Sequence, residues 1–195
     1  MRAERVGLVI PCAMIGVGLA LTKDRIEREL VCEGDWYRIS YAVRKDGTPA
    51  PSREVMSYLE EGTWTEGEFA NMHADEQVDA YARLLHTMQY FADNGEGDRY
   101  ETMNGLGSGI FEFKARSARL AFYDTPGDGT HEPKRTYADL ENSAHPSSPT
   151  WHIPDLDQEI RLCNGWPKKS RQAVPSDIAF ARQVRSEDLS HDRRR

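Results

Sequence analysis

The stretch GIFEFKARSARLAFYD, Gly109 to Asp124, decides the fold. Ile110 to Ala115 and Ala118 to Tyr123 each read as a strand, and only Arg116-Ser117 separates them. That spacing predicts a β-hairpin with a tight turn. Lys114, Arg116 and Arg119 stand around the turn, so the hairpin also gathers cations at one end.

Upstream, WYRISYAV alternates Tyr37, Ile39, Tyr41 and Val43 against Trp36, Arg38, Ser40 and Ala42, the period of a strand. KDGTP then supplies turn chemistry, and Ser52 can cap a helix over REVMSYLEE that Gly62 ends. DEQVDAYARLLHTMQYFADNG repeats Val78, Tyr81, Leu85, Met88 and Ala92 at intervals of three and four, which predicts a long amphipathic helix with its apolar stripe in the core. Asp75 and Glu76 suit its start, and Asn94-Gly95 its stop.

Downstream, Asp157 to Cys163 predicts a further strand, Asn164-Gly165 a turn, and Ser176 the cap of a terminal helix over DIAFARQVRSED. Trp166 is expected to pack against that helix. Thr125 to Pro154 is long for a connection and rich in Pro, Ser, Thr, Gly and Asp. It reads as an insertion, with a short helix at TYADLEN. The expected order is β-α-α-β-β-insertion-β-α. This is an α+β fold: a small antiparallel sheet, two N-terminal helices and a C-terminal helix, with the helices on one face.

The N-terminal run VGLVIPCAMIGVGLALT, residues 6–22, carries no charge. It is marginal as a membrane span and suits the apolar region of a signal peptide. No small-x-small cleavage site follows it, and Pro11 precedes Cys12 where a lipoprotein needs a small residue. A membrane anchor, an upstream start codon and a packed extension all remain open for it. Residues 1–34 are therefore assigned as an apolar extension. Residues 35–195 form one domain with an insertion at 125–154 and a basic tail.

Net charge is -7, which argues against a general nucleic-acid coat protein. The charge is nevertheless segregated: from Gly165 onward, eight Lys/Arg face four Asp/Glu. Cys12, Cys32 and Cys163 have no metal-ligand spacing, and His145 and His152 lack ligand partners at such spacing. No metal or cofactor is expected, and a reducing cytoplasm is the expected compartment.

Four segments carry a resemblance. WYRISYAVRKDGTPAPSREVMSYLEE resembles the opening strand, turn and first helix of RelE/HigB-type toxins of bacterial toxin–antitoxin systems, closest in style to the phage-derived branch. YARLLHTMQYFADNG resembles their second helix, LGSGIFEFKARSARLAFYD their hairpin, and RLCNGWPKKSRQAVPSDIAFAR their closing strand, lysine pair and helix. Together they run from Trp36 to Arg185 with the insertion unmatched. Lys114 replaces the family's usual arginine, and Pro167 precedes the lysine pair. The resemblance implies a RelE-like fold and a toxin that enters the ribosomal A site and cuts mRNA. It also implies a cognate antitoxin, usually a helix-turn-helix protein, that neutralises it.

Metal-free RNA cleavage needs a proton acceptor for the 2′-OH, fixed cations for the charge on phosphorus, and a proton donor for the leaving oxygen. Arg116, Arg119 and Arg171 suit phosphate clamping because guanidinium stays charged and offers a planar fork. Crowded Lys168 and Lys169 repel each other, which can bring one into the proton-transfer range. Tyr123 is a second proton-active candidate or a stacking surface. Glu112 reads as structural, pairing a neighbouring cation. The candidate catalytic set is Arg119, Tyr123, Lys168 and Lys169, with Lys114, Arg116 and Arg171 as RNA contacts. Two other readings stay open: a toxin of the same fold that poisons another target such as gyrase, and an inactive binding module.

Overall fold

The computed structural model describes residues 26–96, 102–139, 141, 150–168 and 173–193. In chain order the described elements are β1 (Leu30–Glu33), β2 (Arg38–Tyr41), α1 (Ser52–Glu61), a 3-10 turn (Gly67–Asn71) and α2 (Ala74–Asn94). Then come β3 (Met103–Gly107), β4 (Ile110–Ala115), β5 (Ala118–Thr125), β6 (Tyr137–Asp139), β7 (Thr150–His152), β8 (Glu159–Pro167) and α3 (Pro175–Asp192). The chain is α+β.

The hairpin forms where its sequence puts it. β4 and β5 pair antiparallel in unbroken register from Phe111↔Phe122 to Ala115↔Ala118. The turn is tight enough to force Arg116 to φ 49°, a left-handed conformation that side chains other than glycine rarely take. Hairpin residues then alternate between two faces. Phe111, Phe113, Leu120 and Phe122 join one core with Val55, Met56 and Leu59 of α1 and Leu84, Met88 and Phe91 of α2. The Phe113 and Phe122 rings stack at 4.3 Å, and Phe91 meets Phe113 edge-on at 5.8 Å. Ile110, Ala121 and Tyr123 join a second core with Cys163, Trp166 and the α3 residues Ala181, Val184 and Leu189.

The six main strands are ordered β1-β2-β8-β5-β4-β3. β2 and β8 run parallel, whereas every other neighbouring pair is antiparallel. The sheet is therefore mixed and larger than the small antiparallel one expected. The long chain between β2 and β8 leaves β8 free to run either way, a freedom a short hairpin lacks. The edge strands LVCE and MNGLG alternate too weakly to show as strands in the sequence. A second correction concerns the helices. α1 and α2 cover one face and α3 the other, so they are not segregated.

Element limits also move. β1 lies within the segment assigned as an extension, and Arg28 just before it packs against α3, so the ordered domain begins upstream of Asp35. Asn164-Gly165 is not a turn but the middle of β8. A Cβ on Gly165 would stand 2.8 Å from Leu120 Cδ2 and 3.0 Å from Val55 Cγ1, so glycine serves close packing there. α3 starts at Pro175 with Val174 as its N-cap, without a side-chain cap from Ser176. The Tyr137–Asp139 part of TYADLEN is a strand, paired with β7, and not a helix. Among the described residues no helix is long and apolar enough to cross a membrane, and the apolar run 6–22 lies outside them.

Candidate functional site

On the α3 side of the sheet, alternation places Ile110, Glu112 and Lys114 along β4 and Tyr123, Ala121 and Arg119 along β5. α3 covers the first half of that face. Past Ala121 and Trp166 the face turns polar, and there Lys114 pairs in register with Arg119, and Arg119 with Trp166. β8 then delivers Lys168, whose amide donates to the Ser117 carbonyl at 2.7 Å and so fixes it beside the hairpin turn.

Glu112 is the centre of this cluster. Its carboxylate is 6% exposed, accepts a hydrogen bond from Asn104 Nδ2 at 3.2 Å and lies 3.9 Å from Arg119 Nε. Burial pushes its pKa above the ordinary carboxylate value, against the opposing pull of the Asn104 bond and of Arg119, Lys114 and Lys168. The carboxyl therefore gives up its proton less readily than an exposed one, even with Arg119 beside it and the charges of Lys114 and Lys168 acting on it. Arg119 is itself half-buried, and its Nη1 donates to the carbonyls of Arg116 at 2.9 Å and Ala118 at 2.7 Å. Those bonds lock the guanidinium over the hairpin turn. Fixed cations next to a protonatable carboxyl can stabilise charge on a phosphate and move a proton.

Two expected members do not join this group. Tyr123 is fully buried under α3, its hydroxyl donating to Asp188 Oδ2 at 2.5 Å, and burial together with the Asp188 charge raises its pKa well above the ordinary value. It presents no surface to a base and its proton is engaged by Asp188, so the structure places it apart from the Glu112 cluster. Arg116 turns toward α2 instead, with Nε 2.8 Å from Asp79 Oδ2 and Nη1 3.5 Å from Glu76 Oε1. These are exposed ion pairs on the α2 side of the hairpin, so the structure sets Arg116 apart from the Glu112 cluster. Lys169 and Arg171 lie outside the described residues. Arg119, Lys114 and Lys168 are brought together.

The sequence reading missed a second polar assembly. Arg161 of β8 is fully buried, and its Nη1 donates at 2.6 Å to both Asp188 Oδ2 and Asp192 Oδ2 of α3. Arg28 reaches the same pair, with Nε 2.9 Å from Asp188 Oδ1 and Nη2 3.2 Å from Asp192 Oδ2. The Val43 amide adds a 2.7 Å bond to Asp188 Oδ1. Although burial opposes it, Arg161 and Arg28 hold the Asp188 carboxyl below its ordinary pKa. Two arginines and two aspartates thus pin α3 to β8 and the segment before β1, and Asp188 also ties it to Tyr123 of β5 and to Val43 just after β2. The signal was present: Val184, Asp188 and Asp192 recur at intervals of four, which carries the apolar stripe of α3 into two carboxylates on its inner side.

Comparisons with protein-family models, with curated proteins and with solved structures find no match in any of the three.

Proposed function

We propose that the chain is the toxin of a toxin–antitoxin system of RelE/HigB type, a metal-independent endoribonuclease that cuts mRNA on the ribosome and so inhibits translation. The observation that carries the proposal is the Glu112 cluster: a buried carboxyl of raised pKa with Arg119 3.9 Å away and the charges of Lys114 and Lys168 acting on it. In this reading Arg119 and Lys168 stabilise the charge that builds on phosphorus. Glu112 takes the proton of the ribose 2′-OH in its ionised form, or returns one to the leaving oxygen in its neutral form. Lys114 steers the backbone, and Lys169 and Arg171 extend the same cationic run in sequence. The cellular site of action is the cytoplasm, and the partners are the ribosome, mRNA and a cognate antitoxin, a helix-turn-helix protein.

The test is to induce the chain alone and map mRNA 5′ ends in translating cells. Growth arrest with codon-phased cuts is expected. Arg119→Ala or Lys168→Ala should reduce cutting by about a hundredfold or more, whereas Tyr123→Phe should leave it intact in whatever fraction folds. Arrest without cuts would instead favour a toxin that acts by binding another target, and arrest that survives both substitutions unchanged would remove the site.

A further inference from the structure

The first part of the insertion is held against the domain by a histidine whose protonation state the geometry dictates. His131 Nδ1 lies 2.9 Å from the Asp124 carbonyl, which can only accept, so Nδ1 carries the proton. His131 Nε2 lies 2.8 Å from Arg185 Nη1, which can only donate, so Nε2 is bare. The ring is therefore neutral. Arg185 cannot swing away freely, because the same Nη1 donates to the Ser108 carbonyl at 2.6 Å. The ring also meets Tyr123 edge-on at 5.7 Å and lies over Gly109, whose missing Cβ would stand 2.6 Å from Nε2.

The neighbouring charges are arranged around that neutral state. From β5, the Asp124 carboxylate is matched by Lys134 at 2.7 Å, and the Asp157 carboxylate before β8 is held by the same ammonium at 3.2 Å. From α3, Arg185 faces the ring directly. The rest of the strap is tied by bonds to carbonyls that do not titrate, with Thr125 Oγ1 donating to the Thr130 carbonyl and Arg193 Nε to the Gly129 carbonyl, both at 2.7 Å.

We propose that His131 is a pH-sensitive latch: neutral, it holds residues 125–136 on the domain, and its protonation drives it off Arg185 and releases the strap. A proton on Nε2 would set two donors and two positive charges 2.8 Å apart, with the acidic neighbours already paired to Lys134. Burial, ahead of every other influence, lowers the His131 pKa, which agrees in direction. What the latch controls is the docking of the strap that leads directly into β6, so the β6–β7 ribbon becomes free to move in acid. This inference does not depend on the proposed cleavage activity.

The experiment is hydrogen exchange of the segment 125–136 at pH 7.5 and pH 5.0, corrected for the intrinsic pH dependence of exchange. It is accompanied by a ring-nitrogen NMR titration of His131. In the wild-type chain the strap should exchange faster at pH 5.0 than at pH 7.5, since a histidine that binds protons less readily when docked loses its docking as pH falls. His131→Gln, whose amide can donate and accept yet never charges, should abolish that difference. Equal corrected rates at the two pH values would overturn the latch, as would a His131 midpoint at or above the ordinary value or an identical acid response in His131→Gln.

Discussion

Glu112 and Tyr123 show how burial separates two residues that look alike in a list of candidates. Each stands on the α3 side of the hairpin, yet Tyr123 is sealed beneath the helix whereas Glu112 lies past its edge among cations. The sign of the Glu112 shift yields a test that separates function from structure. Its folded pKa is raised, so between the unfolded and folded values the native state binds more protons. Stability therefore falls as pH rises through that window, and the penalty persists at neutral pH. Glu112→Gln removes the penalty. Its urea midpoint should exceed that of the wild-type chain at pH 7 and match it below about pH 4, while RNA cutting drops by about a hundredfold or more. A carboxylate kept only to pair Arg119 would give the opposite result, a variant less stable at pH 7.

At the scale of elements, the sequence was informative wherever one local pattern sufficed. β4, β5, α1 and α2 span the residues that apolar period and turn residues predict, but the buried side of α2 is Gln77, Ala80, Leu84, Thr87, Met88 and Phe91, with Val78 of the predicted stripe exposed, and Pro51 instead of Ser52 is the N-cap of α1. β1, β3 and the direction of β8 were hidden, since an edge strand needs little apolar alternation and the direction of β8 depends on a distant partner. The site was half visible for the same reason. Lys114, Arg119 and Lys168 could be read from neighbouring motifs, whereas the environment that tunes Glu112 and the carboxylates that capture Arg116 come from the sheet register and from α2. The strongest consequence concerns residues 26–33. Deleting 1–33 removes β1 and takes Arg28 from a buried assembly, leaving Asp188 and Asp192 with Arg161 as their remaining arginine among the described residues. Breaking buried pairing of this kind costs about 3–5 kcal/mol. The truncated chain, and Arg28→Ala alone, should therefore unfold at a urea midpoint lower by roughly 1 M or more. A midpoint within about 0.3 M of the full chain would show that α3 is held without Arg28.

Over the whole molecule, folding pairs three carboxylates of the cation-rich C-terminal segment with arginines from the rest of the chain. Asp188 and Asp192 draw in Arg28 and Arg161, Arg44 is held by Glu187, and Arg116 by Asp79 and Glu76. Neutralised charges contribute little to attraction beyond a Debye length of about 8–10 Å. The long-range field for a polyanion should accordingly come from the cations of the Glu112 cluster and from Lys169 and Arg171, which follow it in sequence, not from arginine content at large. Salt dependence measures this directly. A phosphate contact with single-stranded RNA steepens the plot of log affinity against log salt by about 0.7. Lys168→Ala should therefore flatten that slope by about 0.7, and Lys114→Ala or Arg119→Ala should act in the same direction. Arg116→Ala should leave the slope unchanged, because its guanidinium already faces Asp79 at 2.8 Å. Equal flattening by Arg116→Ala and Lys168→Ala would mean that the hairpin tip leaves α2 when RNA binds, and the interface would then include the α2 carboxylates as groups displaced by phosphate.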